Sequence, residues 1–208
     1  MLAEETFYKI ILVGNAGVGK THLLYRYVKG ILPPPSSSTV GVGFATRSVP
    51  LYSGGSIKVQ VWDSAGQEKF KSITWNQYRN AAAALLVYDV TNPSSFEAIQ
   101  MWKQELDVYL DNDLVCMLVG NKTDLIERNP KYRGVPTARA ASLARAHNFL
   151  FQETSAVSGS HVAEAFEELV QAVYNQRHQV QSLKGTRETV GYSLTKLPTR
   201  CAASNSCC

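Results

Sequence analysis

The stretch that decides the fold is Gly14-Asn15-Ala16-Gly17-Val18-Gly19-Lys20-Thr21. It follows an apolar run of strand length, residues 7–13, and it precedes residues 20–29, which carry helical signals. Glycines at such a strand-to-helix turn allow backbone N–H groups to point inward around a phosphate, and the start of the helix adds a favourable dipole. The match of the whole stretch in this context predicts a phosphate-binding loop rather than an inert glycine-rich turn.

Side chains at the end of this stretch have predicted roles on a triphosphate. The Lys20 ammonium would neutralise charge on the β- and γ-phosphates, and the Thr21 hydroxyl would coordinate Mg²⁺. Asp63 follows a second apolar run, residues 57–62. A carboxylate at the end of a strand beside the phosphate loop can hold the Mg²⁺ shell, usually through water. The sequence therefore predicts a magnesium nucleotide site.

Three loop residues complete the predicted reaction site. Gly66 would let the backbone approach the γ-phosphate, and Gln67 would orient the water that attacks it in line. Thr39 closes a loop that contains three consecutive prolines, and its hydroxyl would complete the Mg²⁺ shell when a γ-phosphate is present. Two loops, residues 31–42 and 66–78, would then be ordered by the triphosphate and released after hydrolysis, as in a switch.

A further cluster favours guanine as the base. Asn121, Lys122 and Asp124 follow the buried run of residues 114–120, and a carboxylate there can accept both N1–H and the exocyclic amine of guanine. Adenine lacks this pair of donors and would leave a buried acid unpaired, which disfavours a P-loop ATPase or kinase. The dipeptide Ser155-Ala156, at the end of the last predicted strand, could supply a backbone contact to the base oxygen.

Apolar runs of strand length alternate with segments of helical spacing along the chain. The runs are residues 7–13, 57–62, 83–89, 114–120 and 149–153, and the helical segments are residues 20–29, 94–110, 137–147 and 161–177. This alternation predicts a doubly wound α/β sheet with helices on both faces. A glycine turn at residues 52–55 predicts a hairpin and thus one antiparallel edge strand. We therefore expect a six-stranded, mostly parallel sheet of the P-loop NTPase class.

The excess of positive charge lies near the end of the chain. There are 21 Lys and Arg against 17 Asp and Glu, yet residues 1–175 contain 16 of each kind. A neutral body argues against nucleic acid as the main ligand. Past residue 179 the apolar spacing fails, so we expect one domain over residues 1–178 and an unstructured tether over residues 179–208.

The cysteines show the same asymmetry as the charge. Cys116 lies within an apolar run and is interpreted as a small core residue, whereas Cys201, Cys207 and Cys208 fall in the last eight residues. This arrangement implies no disulfide framework. A short acidic N-terminus without a long apolar run predicts a protein that is made and kept in the cytosol.

In this order, the motifs resemble those of the Ras-superfamily small GTPases, and more closely those of the Rab family. Rab-like stretches are Val-Gly-Val-Gly-Phe at residues 40–44, Lys-Val-Gln-Val-Trp at 58–62, Lys-Phe-Lys-Ser-Ile-Thr at 69–74 and Leu-Val-Tyr-Asp-Val-Thr at 86–91. Residues 41–48, 135–137 and 153–156 are similar to the subgroup that works at recycling endosomes and the trans-Golgi.

The resemblance implies a cycle between GDP- and GTP-bound states, with Mg²⁺, that regulates vesicle trafficking, here endosomal recycling. Implied partners are a guanine-nucleotide exchange factor, a GTPase-activating protein, a GDP-dissociation inhibitor, a Rab escort protein and effectors that bind the switch regions. It further implies that Cys207 and Cys208 carry geranylgeranyl groups. These would hold the protein on the cytoplasmic face of endomembranes, beside a carrier-bound cytosolic pool.

Several positions depart from the Rab pattern. Leu32, followed by three prolines, replaces a phenylalanine ahead of the switch threonine, which would speed nucleotide release. Gly43 replaces an acid, Gln77 a tyrosine and Asn80 a glycine, and these changes bear on the choice of effectors. They leave open a GTP-binding scaffold that hydrolyses poorly, although the presence of both Thr39 and Gln67 speaks against that alternative.

Overall fold

The structure, a computed structural model, describes residues 7–33, 43–63, 78–110 and 113–188. Its strands are β1 Phe7–Val13, β2 Gly43–Pro50, β3 Ser56–Asp63, β4 Ala83–Asp89, β5 Val115–Asn121 and β6 Leu150–Glu153. They form a six-stranded sheet in the order β2-β3-β1-β4-β5-β6. Neighbouring strands are parallel except β2 and β3, which pair antiparallel. The predicted sheet, mostly parallel with one antiparallel edge strand, is confirmed.

Helices cover both faces of this sheet. They are α1 Lys20–Lys29, α2 Pro93–Glu97, α3 Ile99–Tyr109, α4 Thr123–Arg128, α5 Thr137–Ala146 and α6 Val162–Glu188, with a 3-10 turn at Pro130–Tyr132. On one face, α1 and α6 contribute buried side chains such as Leu23 and Phe166 to a core with Ile10 of β1. On the other face, α3 and α5 contribute Trp102 and Ala144. Burial of both sheet faces explains the near-continuous apolar runs of the central strands.

The β2–β3 hairpin turns as its glycines predict. Gly54 and Gly55 have φ angles of 90° and 80°, which side chains with a Cβ rarely adopt. Leu51 N–H donates to the Gly55 carbonyl at 3.1 Å and closes the turn. The register that follows pairs Gly43 with Asp63, so the hairpin fixes the position of Asp63 at the end of β3.

The parallel register brings the functional loops to one edge of the sheet. Leu12 of β1 pairs with Asp63, and Asp89 of β4 pairs with Asn121. Carboxyl ends of parallel strands meet at the same edge, which is where open α/β sheets bind ligands. Asp63, Asp89 and Asn121 therefore lie along that edge with the loop that follows β1.

Three helical boundaries differ from the sequence prediction. Residues 94–110 form two helices separated at Ala98, and α4, only six residues long, is too short to give a periodic signal. The predicted helix end at residue 177 is wrong, because α6 continues to Glu188. Residues 178–188 include Gln, Leu, Lys, Arg and Glu, which favour helix, and extending a helix needs no apolar stripe.

The prediction of an unstructured tether over residues 179–208 is therefore wrong for residues 179–188, which belong to α6. Residues 189–208 lie outside the described ranges, and both their disorder and the domain limit at residue 178 stay predictions. Among the described helices, none combines the length and apolarity that crossing a bilayer requires.

Candidate guanine-nucleotide site

The loop between β1 and α1 is shaped by its glycines. Gly14 and Gly19 have φ angles of 140° and 99°, in the region that favours glycine. A Cβ at Gly14 would lie 2.2 Å from the Val87 carbonyl oxygen, and one at Gly19 would lie 2.3 Å from Asn121 Nδ2. Glycine is therefore required at both positions, because the loop packs directly against β4 and β5.

Lys20 opens α1 and its ammonium turns back along the loop. The residue is only 5% exposed, and Nζ donates to the carbonyls of Gly14 at 2.6 Å and Asn15 at 3.0 Å. Both of these acceptors are neutral, so they orient the ammonium without cancelling its charge. A buried cation at a helix N-terminus is an arrangement that attracts phosphate.

Thr21 and Asp63 form the candidate magnesium site. Thr21 Oγ1 donates to Asp63 Oδ2 at 2.6 Å, while Asp63 Oδ1 is buried and has no hydrogen-bond partner among the residues that the structure describes. Burial raises the pKa of the Asp63 carboxyl, and the Thr21 hydrogen bond and the charges of Lys20 and His22 oppose that rise. A buried carboxylate oxygen without a partner next to a hydroxyl is the hard oxygen donor set that Mg²⁺ prefers, so these residues fit the ion.

Asn121 connects the phosphate loop to the loop that follows β6. Its side chain is 1% exposed, and Nδ2 donates to the Val18 carbonyl at 2.9 Å. Its Oδ1 accepts from Ala156 N–H at 3.1 Å and from Thr154 Oγ1 at 3.3 Å. The amide thus uses its donor and acceptor ends to hold two loops in one arrangement.

Asp124 lies in the first turn of α4, beside the same loop. Its Oδ1 accepts from Ser155 Oγ at 2.7 Å, and the Ser155 hydroxyl in turn accepts from Ser158 N–H at 3.1 Å. The carboxylate is 8% exposed, so its remaining oxygen is presented from a nearly buried position. This geometry suits recognition of the paired N–H donors of guanine.

Lys122 has a φ of 75°, and its Nζ forms an ion pair of 2.7 Å with Asp89 Oδ2. Asp89 Oδ1 also accepts from the N–H and hydroxyl of Thr91. Sequence reasoning did not assign Asp89 to the site, although its place at the carboxyl end of β4 gave the same signal as Asp63.

Two further contacts were missed because they join distant elements. Trp102 Nε1 of α3 donates to Asn15 Oδ1 at 2.8 Å, and Thr154 supports Asn121. Neither residue has a local pattern that predicts its partner.

The structure brings together the described part of the predicted site, which comprises Gly14, Asn15, Ala16, Gly17, Val18, Gly19, Lys20, Thr21, Asp63, Asn121, Lys122, Asp124, Ser155 and Ala156. The other predicted residues lie outside the described ranges: Thr39, Gly66, Gln67, Cys207 and Cys208.

Comparisons with known proteins agree with this geometry. The family model "Ras family" matches residues 9–175. The "GTP-binding protein ypt3" of Schizosaccharomyces pombe is 40% identical, with 98% of this chain and 97% of the relative covered. The "Ras-related protein Rab-30" of Homo sapiens is 41% identical over 84% of each chain. The "Ras-related protein RABA5a" of Arabidopsis thaliana is 43% identical, covering 83% of this chain and 76% of the relative.

The matched range contains the described phosphate loop, the magnesium pair and the base loop, so the likeness covers the whole described site. The chain therefore belongs to the Ras family and, within it, to the Rab small GTPases, which bind GTP and GDP with Mg²⁺, hydrolyse GTP and act in membrane-associated vesicle trafficking.

Proposed function

We propose that this GTPase is a lipid-anchored switch of endosomal recycling and trans-Golgi traffic, regulated by an exchange factor, an activating protein, a GDP-dissociation inhibitor and a Rab escort protein. The observation that best supports a nucleotide-dependent switch is the site at one edge of the sheet. There, hydrogen bonds of Thr21, Asp63 and Asn121 connect three loops. The proposed organelle is supported by the subgroup-like stretches at residues 41–48, 135–137 and 153–156.

In the proposed reaction, water attacks the γ-phosphorus of GTP while the bond to the β–γ bridging oxygen breaks, giving GDP and inorganic phosphate. Gln67 would orient the water, and Thr21 and Thr39 would hold Mg²⁺, which would supply positive charge to the phosphates. The position of Asp63 supports this role for Gln67. Strand β3 pairs with β1 and ends at Asp63 beside the phosphate loop, and Gln67 follows only four residues later in the sequence. Lys20 compensates the charge that accumulates on the leaving diphosphate.

Effector binding at the switch regions is supported by an exposed aromatic ring, Phe44, that stacks on a half-buried one, Trp62. Phe44 is 57% exposed and stacks on Trp62, with 4.9 Å between ring centroids. Phe44 is the second residue of β2, directly after the first predicted switch. An exposed aromatic ring held by a neighbour is suited to protein recognition because little side-chain entropy remains to be lost.

Single-turnover phosphate release from bound GTP tests the reaction. Gln67→Leu should lower the rate about tenfold or more while GTP affinity stays unchanged, because only water orientation is lost. Gln104→Leu, the same change at an exposed position of α3, is the matched control. Equal rates for Gln67→Leu and wild type would refute the role of Gln67. GTP binding without phosphate release from the wild type would instead favour the poorly hydrolysing scaffold.

Membrane anchoring is tested in cells with N-terminally tagged protein. Two prenyl chains, at about 0.8 kcal/mol per buried CH₂, should keep the wild type on membranes, and Cys207→Ser with Cys208→Ser should release it. Cys201→Ser serves as the control because it changes a tail cysteine outside the terminal pair. A diffuse distribution of the wild-type protein would contradict the proposed lipid anchor. Wild-type protein on membranes that lack recycling-endosome and trans-Golgi markers would contradict the proposed organelle.

A further inference from the structure

The Arg26 guanidinium bridges two loops at the end of α1. Nε donates to the Ala156 carbonyl at 2.8 Å and one terminal nitrogen donates to the Val157 carbonyl at 2.6 Å. The other terminal nitrogen donates to the Gly30 carbonyl at 2.8 Å. The planar fork thus contacts three backbone carbonyls, an arrangement that a lysine ammonium on a flexible stem does not reproduce.

The first of these loops, residues 155–159, holds the predicted base contacts. Ala156 N–H bonds to Asn121, and the Ser155 hydroxyl bonds to Asp124. Gly159 lies against the stem of Arg26, since a Cβ built on Gly159 would be 3.5 Å from Arg26 Cδ. Arg26 therefore holds through its guanidinium the same loop that Asn121 and Asp124 hold through their side chains.

The second loop begins at Gly30, which ends α1 with a φ of 70° and donates its N–H to the Arg26 carbonyl. Residues 31–33, which follow it, are the described start of the first predicted switch, residues 31–42. Backbone and side chain of Arg26 thus both bind Gly30. One residue joins the chain that leads into this switch to the loop that holds the base.

We propose that Arg26 is a positioning residue that sets the rate of nucleotide release by holding the base loop in its binding geometry. Movement at Gly30 would be transmitted through the shared guanidinium to Ala156 and Val157, and from there to Asn121 and Asp124. The inference rests on guanine-nucleotide binding by this site.

Release of a fluorescent GDP analogue in excess Mg²⁺ tests the proposal on the full chain. Arg26→Met should accelerate release about tenfold, which corresponds to about 1.4 kcal/mol. Arg26→Lys, which keeps the charge, should give an intermediate rate. Lys29→Met is the matched control because it also removes a cation from the last turn of α1, where Lys29 lies over the Tyr25 ring instead.

Two readouts separate positioning from general destabilisation. The preference for GDP over IDP should shrink in Arg26→Met, because IDP lacks the amine that Asp124 recognises, whereas an unstable protein would release both nucleotides faster by the same factor. Single-turnover phosphate release from bound GTP should stay within about twofold of wild type, since the described side-chain hydrogen bonds of Arg26 go to Ala156, Val157 and Gly30 and not to the phosphate loop.

Equal acceleration by Lys29→Met would assign the effect to helix-end charge and overturn the proposal. Unchanged release in both Arg26 variants would overturn it as well. Failure of the wild type to bind GDP would refute the proposed function instead, so the two failures are distinguishable.

Discussion

Thr21 Oγ1 donates a hydrogen bond of 2.6 Å to Asp63 Oδ2, joining the start of α1 to the end of β3 across 42 residues of sequence. The other oxygen of this carboxylate, Oδ1, is buried and accepts no hydrogen bond from residues 7–33, 43–63, 78–110 or 113–188. A buried acceptor without a partner costs about 1–3 kcal/mol, so the folded domain carries a cost here that a bound cation can remove.

The hydroxyl of Thr21 should therefore link nucleotide retention to magnesium. Thr21→Val keeps the shape of the side chain but removes the oxygen that would bind Mg²⁺. We expect chelation by EDTA to accelerate GDP release strongly in the wild type and by less than about twofold in Thr21→Val. Thr21→Ser restores a hydroxyl and should respond to EDTA like the wild type. A strong EDTA response in Thr21→Val would place the ion on other residues.

Asp124 should set the choice of base. In Asp124→Asn, one carboxylate oxygen becomes an NH₂ donor, which opposes the exocyclic amine of guanine and complements the carbonyl of xanthine at the same position. We expect GDP affinity to fall at least about a hundredfold and XDP affinity to rise. Competition binding with both nucleotides measures this change. Asp113→Asn, on an exposed residue, should alter neither affinity.

Unchanged discrimination in Asp124→Asn would show that another group reads the base. Loss of both nucleotides together would indicate that the Ser155 hydrogen bond to Asp124, rather than base recognition, dominates at this position.

Local patterns were sufficient to predict the described phosphate loop and the sheet. Gly14 and Gly19 have the positive φ angles that the predicted glycine-rich turn calls for, and the apolar runs follow from burial on both faces. Asp63 and Asn121 were predictable because each ends a buried strand, and parallel strand ends share one edge.

Contacts between distant elements could not be predicted in this way. The hydrogen bond from Trp102 to Asn15 and those from Arg26 to Ala156 depend on how α3 and α1 pack against loops far along the chain. No spacing or composition encodes them. The continuation of α6 to Glu188 escaped prediction for another reason, since the prediction relied on an amphipathic pattern and residues 178–188 have none.

Gly19 should be more sensitive to substitution than other glycines with similar backbone angles. Gly19→Ala combines a φ of 99° with a Cβ 2.3 Å from Asn121 Nδ2, whereas Gly30→Ala has a φ of 70° and no atom within 4 Å. Backbone strain of about 1 kcal/mol applies to both, so the difference reports the clash. We expect chemical denaturation to show at least about 2 kcal/mol more destabilisation for Gly19→Ala, since the Asn121 hydrogen bonds are displaced.

Equal destabilisation by the two alanines would mean that Asn121 can move aside without loss. In that case a measurement of GDP binding should also give an affinity for Gly19→Ala close to that of the wild type.

Cys116 should be inert in the folded protein despite being a free thiol. It is 6% exposed, and burial raises its pKa from 9.0 to about 12. Because the thiolate is the reactive form, only roughly one molecule in ten thousand would be ionised at pH 8. Iodoacetamide at pH 8, followed by peptide mass spectrometry, should leave Cys116 unmodified until urea unfolds the domain.

Burial of Cys116 should also make the stability of the domain depend on pH. The unfolded thiol loses its proton near pH 9 and the folded thiol near pH 12, so ionisation in this interval favours the unfolded state. The free energy of unfolding should therefore fall as the pH rises from 9 to 12, and it should fall less steeply in Cys116→Ala. Modification of Cys116 in the native protein, or identical slopes for the two proteins, would contradict its burial on the sheet face that carries α3 and α5.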